Sequence, residues 1–257
     1  MKFLALIPSR YASTRFPGKP LALLGGKPIV QWVYERVSQS IADVYVATDD
    51  ARIFDAVEAF GGRAVMTSPN HKSGTDRCQE AASLVGRGFD VVLNVQGDEP
   101  FISPSQLEAV KACFSDPVTQ IATLVQPFTP EMGQEALENP GSPKVVTDGN
   151  GFALYFSRSV IPFLRGIPRE EWISRHTYYK HIGLYAYRQD VLAEITRLPQ
   201  SPLEVAESLE QLRWLQAGYK IKVALTDKAT IGIDTPEDLR KAEQALLKQH
   251  QSHDKEV

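Results

Sequence analysis

The stretch "FLALIPSRYASTRFPGKPL", residues 3–21, joins two halves of opposite character. Residues 3–7 are an unbroken apolar run closed by Pro8, the pattern of a strand buried on both faces. The loop that follows carries Arg10, Arg15 and Lys19, with Pro17 and Pro20 around Gly18 and no acid. Three fixed positive charges at the exit of a buried strand repel one another unless an anion sits among them. Guanidinium groups fork onto phosphate oxygens, an ammonium adds a point charge, and Gly18 permits close backbone approach to a ligand. A solvated basic loop over a sheet edge has the same local pattern; the strand-exit position favours a phosphate cradle. The loop is neither GxxxxGK[ST] nor GxGxxG, so it follows neither of those phosphate-binding designs.

The flanking sequence sets the fold class. Ile29, Val33 and Val37 recur at helical spacing behind Pro28, and "VYVATDD" (44–50) is a strand ending in acids. "ARIFDAVEAFGG" is a helix stopped by Gly61 and Gly62, "RAVMT" a short strand, and "SGTDRCQEAASLVGRG" a loop and helix. "FDVVLNVQGDEP" is a strand ending at Gly97-Asp98-Glu99-Pro100; a helix opened by Ser103 and Pro104 and the strand "QIATLVQP" follow. This alternation over residues 1–125 predicts an α/β fold: a Rossmann-like, mostly parallel sheet flanked by helices, binding ligands outside the carboxyl ends of its strands. The basic loop, "TDD" and "QGDEP" all fall at those ends. After 125 the hairpin "SPKVVTDGNGFALYFSRS" and the strand "KHIGLYAYRQD" predict an antiparallel insert lobe at about 128–190. "SPLEVAESLEQLRWLQAG" is expected to be one long helix, with Glu204 on a solvated face opposite Val205, Leu209 and Leu212. "YKIKVALTD" is a strand. A last apolar strand ends at Asp234, and Thr235 caps a final helix. These pieces predict a single α/β domain over 1–248 and a disordered tail over 249–257.

Composition narrows the partners. A net charge of −3 over 257 residues offers no global field to nucleic acid or an anionic membrane, so any basic site is local. The apolar run before Pro8 is too short for a signal peptide, and no later run spans a bilayer. Cys78 and Cys113 sit at helical spacing among apolar neighbours and form no CxxC, so both are expected to be core thiols in a reducing compartment. The expectation is a cytoplasmic protein with neither nucleic-acid nor membrane partners.

Asp98, preceded by Gly97 at a strand end, and Asp234 are hard carboxylates suited to Mg²⁺, which keeps waters and bridges to phosphates. A turn or capping role is the plainer alternative for each, although Thr235 already caps the helix after Asp234. In "SGTDR", Ser73, Thr75 and Asp76 suit a helix start and leave Arg77 in the first turn, against the dipole, where a bound anion would compensate it. His181 and Tyr185, four apart on a strand, share a face with Gly183 leaving room between them. With Arg158, Glu210 and Gln211 they are candidates for a polar-ligand pocket. The residues alone reach Mg²⁺-dependent nucleotide chemistry at a parallel sheet.

Taken in order, "IPSRYASTRFPGKPL", "VATDD", "SGTDR", "NVQGDEP", "KHIGLYAYR", "ESLEQLR" and "GIDTPEDL" resemble the 3-deoxy-manno-octulosonate (Kdo) cytidylyltransferase family, also called CMP-Kdo synthetases. Ser9 stands where Ala is common and Phe16 where Leu is common; neither removes a charge. The resemblance implies a nucleotide-diphospho-sugar transferase-like fold. It implies transfer of CMP from CTP to the anomeric hydroxyl of Kdo, giving CMP-Kdo and pyrophosphate for lipopolysaccharide biosynthesis, with 8-amino-Kdo or another ulosonic acid as the alternative acceptor. Arg10, Arg15 and Lys19, with Ser13, would hold the triphosphate, and Arg10, Lys19 and Asp98 would act at the reacting phosphate. Pro8, Ser73, Gly74 and Gln96 would meet the cytosine. Asp98 and Asp234 would bind Mg²⁺. Arg77, Arg158, His181, Tyr185, Glu210 and Gln211 would hold the sugar acid, and the insert lobe would form a homodimer contact. No side-chain general base is evident, so activation of the hydroxyl is expected to fall to the metal.

Overall fold

The opening apolar run forms β1 (Phe3–Ser9) in the computed structural model, which describes residues 1–86, 88–228 and 232–253. The chain divides into two compact units, Met1–Pro104 with Thr230–Val257, and Ser105–Ala229.

In the first unit a two-residue antiparallel pair, β2 (Leu23–Leu24) and β3 (Lys27–Pro28), leads into α1 (Ile29–Val37). Then come β4 (Asp43–Thr48), α2 (Ala51–Ala59), β5 (Ala64–Met66), α3 (Gly74–Val85) and β6 (Val91–Asn94). The strands lie in the order β6-β1-β4-β5, all parallel, as the alternation predicts. The apolar periodicity sets what each helix buries: Ile29, Val30, Val33 and Val37 on α1, and Ile53 and Val57 on α2. Asp50 and Ser73 cap α2 and α3 through their side chains, accepting the Arg52 and Asp76 amides.

Pro8 does not end β1 as expected; it pairs with Ala47 of β4. The Leu6 carbonyl accepts the Val95 amide, and the β6 ladder ends at Leu6↔Asn94. Period-two alternation points Pro8 the same way as Leu6, past the end of β6, where no N–H is required.

The second unit contains α4 (Pro104–Ala112), β7 (Ile121–Pro127), α5 (Gly133–Glu138), β8 (Lys144–Thr147) and β9 (Ala153–Ser157). It continues with α6 (Trp172–Arg175), β10 (Tyr179–Arg188), α7 (Gln189–Ile195), α8 (Pro202–Glu207), α9 (Gln211–Gln216) and β11 (Ile221–Leu225). Its strands run β11-β7-β10-β8-β9, antiparallel except for β11 with β7. The antiparallel pairing thus takes in β7, read from sequence as part of the parallel run.

Two expectations fail here. The long helix over 202–217 is two short ones, α8 and α9, parted at Ser208, whose φ is 50°. With the break, Glu204 turns inward to 6% exposure and Val205 outward to 63%. Glu204 closes a capping box with Ser201 and holds Arg213 through two hydrogen bonds of 2.8 and 2.6 Å. The solvated acidic face expected of one helix is absent because the carboxylate has a buried cation to meet.

The chain returns to the first unit in α10 (Pro236–His253), capped by Thr235 and Asp238 in reciprocal bonds of 3.2 and 2.9 Å. The helix passes residue 248, since no Gly or Pro stops it; residues 254–257 lie outside the described residues. Cys78 and Cys113 are buried thiols that are not joined in a disulfide. No helix among the described residues is long and apolar enough to cross a membrane.

Candidate active site

At the carboxyl ends of β1 and β6 lies a cavity of about 430 Å³ lined by Pro8, Ser9, Arg10, Ala12, Ser13, Thr14, Arg15, Lys19, Pro20, Gln96, Gly97, Asp98 and Asp234. The basic loop and both acids singled out from the sequence therefore share one cleft. Lys19 Nζ stands between the carboxylates, 2.5 Å from Asp98 and 3.2 Å from Asp234. Arg15 reaches Asp234 at 3.1 Å with its guanidinium largely in solvent. Arg10 is exposed at the rim and enters no ion pair among the described residues. Cations and carboxylates are thus interleaved in the cleft.

Backbone geometry explains the convergence. Lys19 opens a short 3₁₀ turn behind Gly18, whose φ of 71° favours glycine. A Cβ on Gly18 would sit 3.1 Å from the Tyr11 ring, and the Gly18 amide donates to the Tyr11 carbonyl. The glycine folds the loop back on Tyr11. Residues 232–234 form no strand, so Asp234 does not end one. It is brought to Asp98 because the Ile233 amide donates to the Asp98 carbonyl at 2.9 Å. Gly97 carries a constraint that the sequence reading missed: a Cβ there would lie 2.8 Å from Ser9 Oγ and 3.0 Å from the Pro8 carbonyl oxygen. Ser73 and Gly74 do not line the cavity. Ser73 caps α3, and Gly74 packs beside the Pro8 ring.

Arg77 is 1% exposed. Its guanidinium meets Asp49 at 2.9 Å and Thr67 Oγ1 at 2.6 Å. The anion that compensates Arg77 is thus Asp49, at the end of β4, and no bound ligand is needed to explain the charge.

In the second unit, His181, Tyr185, Glu210 and Gln211 gather around β10 and the start of α9. A bulge between Ile182 and Tyr185 breaks the plain alternation of β10, yet the His181 and Tyr185 rings stay 5.3 Å apart. Thr123 Oγ1 lies 3.1 Å from His181 Nε2, and Phe156 meets the imidazole edge-on. Burial pushes the His181 pKa down to about 3, so the ring is neutral at ordinary pH. Burial, reinforced by the Glu210 charge, pushes the Tyr185 phenol well above its usual range. Gln211 Nε2 is buried without a hydrogen-bond partner within the chain, the kind of atom that an added polar group would satisfy. Arg158 is turned otherwise: its guanidinium donates to the carbonyls of Pro140, Glu207 and Ser208.

Residues 4–221 match the cytidylyltransferase family model. The chain is 69% identical over 251 residues to a 3-deoxy-manno-octulosonate cytidylyltransferase of Phocaeicola vulgatus, covering 98% of this chain and 99% of that one. A protein of the same name from Bacteroides thetaiotaomicron is 68% identical over 246 residues, covering 96% and 98%. A solved CMP:2-keto-3-deoxy-manno-octonic acid synthetase complexed with CTP superposes with a TM-score of 0.88 at 43% identity, covering 97% of this chain and all of that one. The chain belongs to the 3-deoxy-manno-octulosonate cytidylyltransferase family. It is accordingly a nucleotidyltransferase, and its fold is the mostly parallel α/β fold expected from the strand–helix alternation.

For this cytidylyltransferase the donor set can be tested against a divalent metal. Asp98 and Asp234 are half-exposed and share one cation, the Lys19 ammonium, at hydrogen-bond distance. Two hard carboxylates already arranged around a positive charge fit Mg²⁺, which needs only one or two protein carboxylates when phosphates and waters complete its shell. Among the described residues there is no cluster of three or more His, Cys, Asp or Glu that could hold a metal ion.

Proposed function

We propose that this chain transfers CMP from CTP to the anomeric hydroxyl of Kdo, releasing pyrophosphate. One observation carries the reading: a single cleft sets Arg10, Arg15 and Lys19 against Asp98 and Asp234. Within it, Lys19 bridges both acids. In the reaction the hydroxyl oxygen bonds to the α-phosphorus, the bond from that phosphorus to the α,β-bridging oxygen breaks so that this oxygen leaves with the pyrophosphate, and the hydroxyl proton passes to solvent water. Arg10 and Arg15 grip triphosphate oxygens through forked N–H groups. Lys19, held at the acids in the free protein, is within the same cleft to neutralise charge growing on the departing pyrophosphate. Asp98 and Asp234 hold Mg²⁺, which supplies positive charge against the phosphate oxygens when bound.

On the same reading the neutral His181 imidazole, the Tyr185 phenol and the Gln211 amide receive hydroxyls and the carboxylate of the sugar acid. Exposed Leu154 and Phe163, 62% and 73% accessible, support a homodimer contact within 128–190, and the buried thiols suit the cytoplasm. The test is pyrophosphate release with CTP, Mg²⁺ and Kdo. Turnover is expected, and silence with Kdo refutes the assignment. Asp98→Ala is expected to lower kcat/KM by well over tenfold; a loss under about 1.4 kcal/mol of barrier would remove Asp98 from the metal site.

A further inference from the structure

The break at Ser208 is unusual in its setting. "PLEVAESLEQLRWL" contains no Gly or Pro between Leu203 and Trp214, and continuous helix is its expected state. Ser208 nevertheless takes φ 50° and ψ 47°, the one non-glycine residue at positive φ among the described residues. Its side chain is exposed, so packing of Ser208 itself does not hold it there. Left-handed backbone is unfavourable for L-residues other than Gly, Asn and Asp, and helices that end this way normally place Gly at that position.

Contacts on either side of Ser208 account for it. The Glu207 carboxylate accepts from Ser157 Oγ at 2.6 Å and from the Arg158 amide at 2.9 Å, both at the end of β9. The Arg158 guanidinium then donates to the Glu207 and Ser208 carbonyls at 2.6 and 3.2 Å. The Leu209 amide returns to the Glu204 carbonyl at 3.3 Å, closing the turn. Directly beyond the break, α9 presents Gln211, with its unpartnered buried amide, and Trp214, whose ring meets Tyr185 edge-on at 5.2 Å. A continuous helix would rotate and shift both residues.

We infer that Glu207 is a positioning residue for the sugar-acid pocket: clasped by Ser157 and Arg158, it holds Ser208 left-handed and so sets α9, which carries Gln211 and packs Trp214 against Tyr185. This rests on the sugar-acid reading of that pocket proposed above.

The experiment is pyrophosphate-release kinetics with CTP and Kdo each varied, on Glu207→Gln, on Ser208→Gly and on the double variant. Glu207→Gln is expected to raise the Kdo KM about tenfold, of the order that left-handed strain makes available, with the CTP KM within twofold of wild type. Ser208→Gly in the Glu207→Gln background is expected to recover most of that loss, because glycine keeps the left-handed turn without a clasp. A merely structural role would not be rescued by a glycine that adds no contact. An unchanged Kdo KM in Glu207→Gln, equal changes in both KM values, or no rescue overturns the inference. Should Glu207→Gln not fold, Ser157→Ala, which removes one of the two bonds to the carboxylate, is judged by the same criteria. Gln211→Ala separates the two levels of argument. If it leaves the Kdo KM unmoved, the pocket reading fails; if it moves the KM and Glu207→Gln does not, only the clasp fails.

Discussion

Gly97→Ala puts one methyl group where the ends of β1 and β6 meet. The new Cβ would lie 2.8 Å from Ser9 Oγ, 3.0 Å from the Pro8 carbonyl oxygen and 3.4 Å from Ile7 Cγ2. Ser9 is 3% exposed and has little room to yield, and the Pro8 oxygen belongs to a central strand. The backbone of 96–98 must therefore move outward by several tenths of an ångström, carrying Asp98 with it. Overpacking of this kind costs about 1–3 kcal/mol, which at this chain length lowers Tm by roughly 2–4 °C per kcal/mol. The effect on turnover is expected to be larger, because a misplacement of about 1 Å in a reacting geometry costs roughly a hundredfold. Pyrophosphate release with CTP, Mg²⁺ and Kdo, read beside a thermal melt, measures both. Gly149→Ala is the control: its Cβ meets nothing within 4 Å. If Gly97→Ala turns over within threefold of wild type, or if the two alanines behave alike, Gly97 does not set the position of Asp98.

Glu204→Ala strips Arg213 of its bidentate partner, in a pair only 8% and 12% exposed, and removes a capping box; a loss of about 3 kcal/mol is expected, and a urea midpoint equal to wild type would refute the buried pair. The His181 pKa is pushed down to about 3 by burial, so the unfolded state binds a proton that the folded state refuses. Stability from this group is full above the unfolded value near 6.5 and is lost as pH falls toward 3, by at most about 1.4 kcal/mol per pH unit. Urea melts from pH 7.5 to 4.5 should show this slope flattened in His181→Gln; identical slopes would rule out a buried neutral ring. Burial raises the Cys113 thiol to about 11, and Cys78 is wholly enclosed. Neither should react with a thiol-titrating disulfide reagent at pH 8 until the protein is denatured, and fast native labelling would contradict both placements.

Residues whose roles follow from their neighbours along the chain were legible, and residues paired across the chain were not. Arg10, Arg15 and Lys19 announce themselves because a buried strand runs straight into three uncompensated charges, and Asp98 because it follows a buried strand through a glycine. Asp234 was recognisable as a spare acid beside a helix cap, but its tether, one amide bond to the Asp98 carbonyl, has no local signal. Arg77 looked like a cation waiting for a ligand because Asp49, its partner, lies 28 positions away. The helix over 202–217 failed for the same reason. Its window reports intrinsic propensity, while the bonds that break it reach back 49 and 50 positions, to Arg158 and Ser157. A half-buried carboxylate gains more from two N–H and O–H donors than a few residues gain from staying helical, so the distant contact wins. Both misreadings came from charged residues set against a helix. The partners that decide each one, Asp49 at the end of β4 and the end of β9, lie in distant strands.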